Sequence, residues 1–193
     1  NPKNSNEIYV AAMGSVWGPN EQRGVFKSVD GGKTWDKILY TNASSGCAEM
    51  VMDPVNPNKI FACMYDYERK PWTFRSGGPG SGLYITHDGG DNWKKITSKD
   101  GFPEGEYGRI GVAIPRVNSK RVYAIVEAKK TGFYRSDDGG VSWKRISDDA
   151  NAGNRPFYYH EIYAHPTEQD KVYSVWSQVS HSLDAGEHWK ILA

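Results

Sequence analysis

Four aspartates recur in one frame. Asp30, Asp88, Asp138 and Asp184 each follow a Ser or Thr by two residues, precede a Gly by two and precede a Trp by five. The four sets are Ser28, Asp30, Gly32, Trp35; Thr86, Asp88, Gly90, Trp93; Ser136, Asp138, Gly140, Trp143; and Ser182, Asp184, Gly186, Trp189. A series of carboxylates invites acid–base or calcium chemistry, but the spacing has a local use. Asp and Ser/Thr side chains bond to backbone N–H groups a few residues on, and Gly supplies a positive φ. The Trp then starts a strand and packs on its neighbours. Every residue of the frame is used structurally, and no Asp-x-Asp-x-Asp-Gly calcium loop is present. The expectation is no metal and no cofactor.

Other residue types gather between these frames. Trp17, Trp72, Phe74, Arg75, Tyr107, Arg109, Arg155, Tyr158, Tyr159 and His160 combine aromatic faces with cations, a mixture that suits sugars or peptides. A partly buried Arg needs a carboxylate, carbonyls or an anionic ligand, and Glu106 is one candidate for Arg109. His160 reads as a hydrogen-bonded structural histidine. Glycoside hydrolysis needs two carboxyl groups about 5–10 Å apart. Glu49 and Glu161 stand out because they fall at equivalent places in the repeat, but the spacing assigns no acid–nucleophile pair. Asp66, Glu68, Asp100, Glu104, Glu106 and Asp148 are further candidates on the loop face, several of them reading as solvated loop charges. No nucleophile elbow supports a Ser-His-Asp triad. The Gly77–Gly82 run lacks the Lys-Ser/Thr of a phosphate-binding loop.

The elements that position these residues also repeat. A Pro/Asn-rich turn followed by a β-branched and aromatic run occurs at Pro2–Val10, Asp53–Ala62, Ile114–Ala124 and His165–Ser174. With the Trp frames, this gives four short strands per unit: one before the Pro turn, one after it, one ending at the Asp turn and one starting at the Trp. For the second unit these fall at about 47–52, 59–65, 82–86 and 92–97. Trp-to-Trp spacings of 58, 50 and 46 residues match propeller blades. The first unit lacks its first strand, so 15 strands are expected in blades at about 1–40, 41–97, 98–147 and 148–193. Such an arc belongs to a larger ring, as an excised fragment, or to a dimer of eight blades, because open strand edges invite pairing.

Composition sets the outer bounds. The chain has 193 residues, 38% apolar and 24% charged, with 24 Lys+Arg against 23 Asp+Glu. That balance gives no basic field for nucleic acid or membrane surfaces. No apolar run is long enough for a transmembrane helix. Cys47 and Cys63 fall on neighbouring strands, and two buried thiols are expected rather than a bridge or a zinc site.

The four Asp frames resemble Asp-boxes, or BNR repeats, found in sialidases, xyloglucanases and sortilin-type propellers. The stretches Ala11–Glu21, Pro71–Phe74, Gly77–Gly82, Gly108–Gly111 and Arg155–Tyr159 resemble a narrower group. Its members are bacterial exported proteins described as BNR-repeat glycosyl hydrolases or sortilin-like. The resemblance implies an all-β Asp-box propeller and an extracytoplasmic setting. Fold does not carry function. The residues favour a binding module whose loop face takes a glycan or a peptide or protein partner. Alternatives are a fragment of a glycoside hydrolase and a structural or assembly-factor propeller, such as the Asp-box protein that helps build photosystem II.

Overall fold

The computed structural model describes residues 1–192; the last residue of the expected fourth blade, Ala193, lies outside them. Each repeat closes one antiparallel sheet. The first holds β1 (Ile8–Ala12), β2 (Gly24–Ser28) and β3 (Asp36–Leu39). The second holds β4 (Ser45–Met52), β5 (Ile60–Lys70), β6 (Thr73–Ser76), β7 (Gly82–Thr86) and β8 (Lys94–Lys95). The third is β9 (Ile110–Ala113), β10 (Val122–Val126), β11 (Gly132–Ser136) and β12 (Lys144–Ser147). The fourth is β13 (Glu161–Ala164), β14 (Val172–Val175), β15 (Val179–Ser182) and β16 (Lys190–Ile191). Among the described residues two short 3-10 turns interrupt the β architecture, Ser98–Asp100 and Ala150–Ala152.

The chain is thus an arc of an all-β propeller whose first blade lacks the inner strand. β1 pairs with β2 on one side, and among the described residues its other edge takes no strand. One expectation fails. The 66–81 segment, left between the expected strands at 59–65 and 82–86, is not an irregular loop, because β5 runs on to Lys70 and turns back as β6. Pairs Tyr67–Ser76, Arg69–Phe74 and Lys70–Thr73 close this extra hairpin. The described strands therefore number 16, not 15.

Three apolar layers hold the arc together, one between each pair of blades. Val25 and Leu39 of blade 1 meet Cys47, Ala62 and Met64 of blade 2. Phe61, Leu83 and Ile85 of blade 2 meet Ile110, Val122 and Trp143 of blade 3. Tyr123, Ile125 and Phe133 meet Ile162, Val172 and Trp189 of blade 4. Strand periodicity explains how one strand serves two layers. Val122, Ala124 and Val126 face blade 2, while Tyr123 and Ile125 face blade 4, so sheets buried on both faces carry near-continuous apolar runs. The inner strands β4, β9 and β13 stand side by side.

The Asp turns face backward along the arc. A side chain added at Gly90 would strike Ile38 of blade 1, at Gly140 Phe61 of blade 2, and at Gly186 Phe133 of blade 3. Trp189 lies edge-on to Phe133, with centroids 5.0 Å apart. Trp143 and Trp189 are 4% and 5% exposed. Gly32 meets only side chains of its own blade, and Trp35 is 41% exposed.

Candidate functional site

The repeated aspartates are fully occupied. In blade 3, Ser136 Oγ donates to Asp138 Oδ1 at 2.7 Å and receives Gly140 N–H at 2.8 Å. Val141 and Ser142 N–H groups donate to the same carboxylate at 3.0 and 2.9 Å, and Trp143 Nε1 donates to the Gly140 carbonyl at 3.1 Å. The Ser/Thr–Asp and Gly–Ser/Thr bonds recur at Ser28, Asp30 and Gly32; at Thr86, Asp88 and Gly90; and at Ser182, Asp184 and Gly186. Trp35 and Trp189 repeat the indole bond, whereas the buried Trp93 Nε1 has no partner. The Thr34 hydroxyl and amide pull the Asp30 carboxyl down to about 2, and the Asn92 side chain and amide hold Asp88 well below the usual carboxylate range. At Asp138 and Asp184 desolvation opposes, but the bonds from Ser142 and His188 prevail and both fall to about 2. Such carboxylates are turn fasteners, not proton carriers.

A second group lies where the inner strands begin. Arg109 Nη2 meets Glu161 Oε1 at 2.7 Å, and Nη1 donates to the Tyr158 carbonyl at 3.0 Å. Arg109 therefore takes a carboxylate and a carbonyl, with Glu161 in the place expected of Glu106. On β4, Glu49 Oε2 accepts the Val112 N–H at 3.3 Å. Desolvation pushes the Glu49 carboxyl up to about 8, against that bond and the Arg109 charge, with Glu161 adding to the rise. His160 is buried and neither ring nitrogen has a partner. Burial and then the Arg109 charge hold it down to about 3. It is neither a hydrogen-bonded histidine nor a rim residue. Its ring packs beneath Gly153, where an added side chain would approach Nδ1.

The aromatic residues form a wall only in part. The hairpin β5–β6 carries Phe74 to Phe157, with ring centroids 4.7 Å apart, and Phe157 meets Tyr158 at 5.0 Å. Arg155 lies over Tyr158 at 5.3 Å, and Tyr159 follows Tyr158 at 6.3 Å. Phe74, Phe157, Tyr158, Arg155, Ser76 and Glu127 line a cleft of about 400 Å³. A second hollow of about 390 Å³ lies across the Ser76–Glu127 divide, beside Arg75 and Lys129. Trp72 stands exposed at the hairpin tip and Trp17 on its own loop; neither lines the cleft. Arg75 pairs with Asp66. The Tyr107 ring is buried, T-shaped against Phe102, with its hydroxyl on the Pro103 carbonyl. Its ring belongs to the core, because the 98–108 segment folds inward over blade 3.

Two important residues escape sequence reasoning. Glu127, just past β10, accepts Ser76 Oγ at 2.9 and 2.8 Å and the Arg109 N–H at 2.7 Å, so it forms the cleft floor. Arg23 is buried against the Ser44, Ser15 and Gly18 carbonyls, and its guanidinium lies 4.7 Å over Tyr67. Neither sits in a repeated frame, and the contacts of Glu127 with Ser76 and of Arg23 with Tyr67 join separate stretches of the chain. Cys47 and Cys63 are buried free thiols. Among the described residues no cluster of His, Cys, Asp and Glu is placed to hold a metal, and no helix is long and apolar enough to cross a membrane.

The family profile described as BNR/Asp-box repeat matches residues 84–95 and 134–145. With four such frames on four sheets, the chain is a BNR-repeat β-propeller arc. A search of curated proteins finds no match. Among solved structures the chain is similar to the GH74 enzyme of Niastella koreensis, at a TM-score of 0.65 and 18% identity, over 98% of this chain and 29% of that one. It is similar to the GH74 xyloglucanase of Xanthomonas campestris, at 0.63 and 14%, over 100% and 29%. It is also similar to YCF48 from Cyanidioschyzon merolae, at 0.53 and 22%, over 80% and 41%. At these identities the likeness is one of fold. The chain spans less than half the length of each of these proteins.

Proposed function

We propose that this propeller arc is an extracytoplasmic binding module, holding an extended amphipathic ligand, glycan or peptide, in the cleft between the β5–β6 hairpin and the 154–159 loop. One observation carries the reading. Phe74 and Tyr158 stay exposed while they wall a cleft whose floor is hydrogen-bonded and polar. Exposed rings over ordered polar groups are how apolar faces and hydroxyls of one ligand are held together. The resemblance of the Asp frames to those of exported propellers supports the setting outside the cytoplasm. Titration calorimetry against a panel of neutral and acidic oligosaccharides and short peptides tests the reading. Phe157→Ala and Tyr158→Ala are expected to abolish binding while the circular dichroism spectrum is unchanged. A panel with no binder, or binding indifferent to both changes, defeats it.

A second reading, part of a glycoside hydrolase, draws on Glu49. A carboxyl held protonated up to about pH 8 beside the Arg109–Glu161 pair offers the proton that a general acid needs. Turnover of xyloglucan oligosaccharides that disappears in Glu49→Gln supports it; turnover unaffected by that change excludes Glu49.

A further inference from the structure

Two blade faces stay uncovered among the described residues, and they are the two halves of one kind of interface. Between blades, the forward face of one sheet meets the back of the next. Strand alternation assigns the halves. At blade 3, Tyr123 and Phe133 make the forward half, and Val122, Ala124 and Trp143 make the back half. Blade 4 repeats the forward half, with Tyr173 in the place of Tyr123. Tyr163, Tyr173 and His181 stand opposite one another across β13, β14 and β15, on the side away from the buried Ile162. Tyr163 is 55% exposed, whereas its blade 3 counterpart Ala113 is buried. Blade 1 repeats the back half, with Ile8, Val10 and Trp35 in the places of Val122, Ala124 and Trp143. Val10 is 42% exposed, whereas Ala124 is buried.

The polar seam repeats as well. Lys59 Nζ of blade 2 donates to the Ser119 carbonyl of blade 3 at 2.7 Å, and the Tyr123 hydroxyl of blade 3 donates to the Gln169 carbonyl of blade 4 at 2.6 Å. Ser119 and Gln169 each lie three residues before the second strand of their blade, and Ser5 holds that place before β1. On blade 4, Lys171 and Tyr173 hold the donor places of Lys59 and Tyr123. A backbone bond ties the Asp turn of each back half to its Pro/Asn turn: Gly139 N–H to Lys120 and Ala185 N–H to Asp170, both at 2.7 Å. Blade 1 has the same bond, Gly31 N–H to Asn6 at 3.0 Å, so its acceptor edge is already formed. We infer that a second copy of this chain docks head to tail, the back of its blade 1 on the forward face of blade 4. One chain carries both complementary halves, and the contact continues the register of three interfaces already in the fold. Contiguous exposed apolar faces of this kind mark interaction surfaces. The two surfaces differ, so the contact is heterologous, and arcs either close on each other as a pair or add into an open series. The inference does not rest on the cleft.

Sedimentation velocity of the 193-residue chain over a concentration series tests it. A two-chain mass, or a mass that grows with concentration, is expected. Tyr163→Asp disables the forward half and Val10→Asp the back half; in the separated chain both positions are at the surface. An unpaired aspartate buried in the layer is expected to weaken association about tenfold or more, with circular dichroism spectra unchanged. A variant whose spectrum changes is replaced by Tyr163→Lys or Val10→Lys and read the same way. Mixing the two variants one to one is expected to restore pairing, because each still carries the half that the other lacks. A parent chain that is monomeric at every concentration overturns the inference. So does an assembly lost in only one of the two variants, which marks a face pairing with its own copy, and so does a mixture that stays apart.

Discussion

Trp143 meets Phe61 edge-on, with ring centroids 6.4 Å apart, and so fastens the third blade to the second. Its counterpart Trp35 has the same indole bond to its own turn but no ring behind it. Trp143→Ala should therefore cost about 3–5 kcal/mol, as for other buried large aromatics. Trp35→Ala should cost about 1 kcal/mol or less, as at a surface. Urea unfolding of the two variants measures both. Equal costs would mean that the turn, and not the packing between blades, uses the tryptophan.

Glu49 gives the fold a pH dependence of unusual sign for a carboxylate. Its folded pKa, about 8, lies above the ordinary 4.5. The folded chain therefore keeps a proton that the unfolded chain releases, so stability falls as pH rises from about 4.5 to about 8. Glu49→Gln should flatten this slope and raise Tm at pH 8 relative to the parent. Carbon-13 titration of the Glu49 carboxyl reads the midpoint directly, and a midpoint near 4.5 refutes the assignment.

His160 acts at the acid end. Burial lowers it from 6.5 to about 3. The unfolded chain takes up a proton that the folded chain refuses, so stability falls as pH drops from about 6.5 toward 3. Nitrogen-15 spectra should show a neutral ring at pH 5. The Asp turns lose stability over a lower window, from about 4 to about 2, which separates the two effects.

The two thiols should be silent in the native state. Burial raises the Cys47 thiol to about 12 and also pushes Cys63 well above the usual thiol range. Because the thiolate is the reactive form, Ellman's reagent should detect neither until denaturant is added. Rapid native labelling would mean that the layer between blades 1 and 2 opens readily.

Sequence legibility followed range. The Ser136–Asp138–Gly140 bonds span four residues, so spacing alone discloses them. The Pro/Asn turns likewise set the strand registers. The β5–β6 hairpin was hidden because Pro71 and the Gly77–Gly80 run read as breaks, although the pairing of Arg69 with Phe74 needs neither to be a strand residue. The cleft floor depends on Ser76 reaching Glu127, 51 residues away. Aromatic loop residues were visible as a class, but only packing separates the half-exposed Phe157 from the buried Tyr107.

The hairpin has a consequence for the cleft. Its Arg69 N–H bonds to the Val16 carbonyl of blade 1, and its root residue Tyr67 lies under Arg23 of the same blade. Its return strand is fixed to blade 3 at the root by Ser76 and Glu127. The aperture between Phe74 and Tyr158 is therefore set from both sides of a lever. A change in the 13–23 loop, which lines none of the cleft, would tilt that lever and retune the fit of the ligand from a distance.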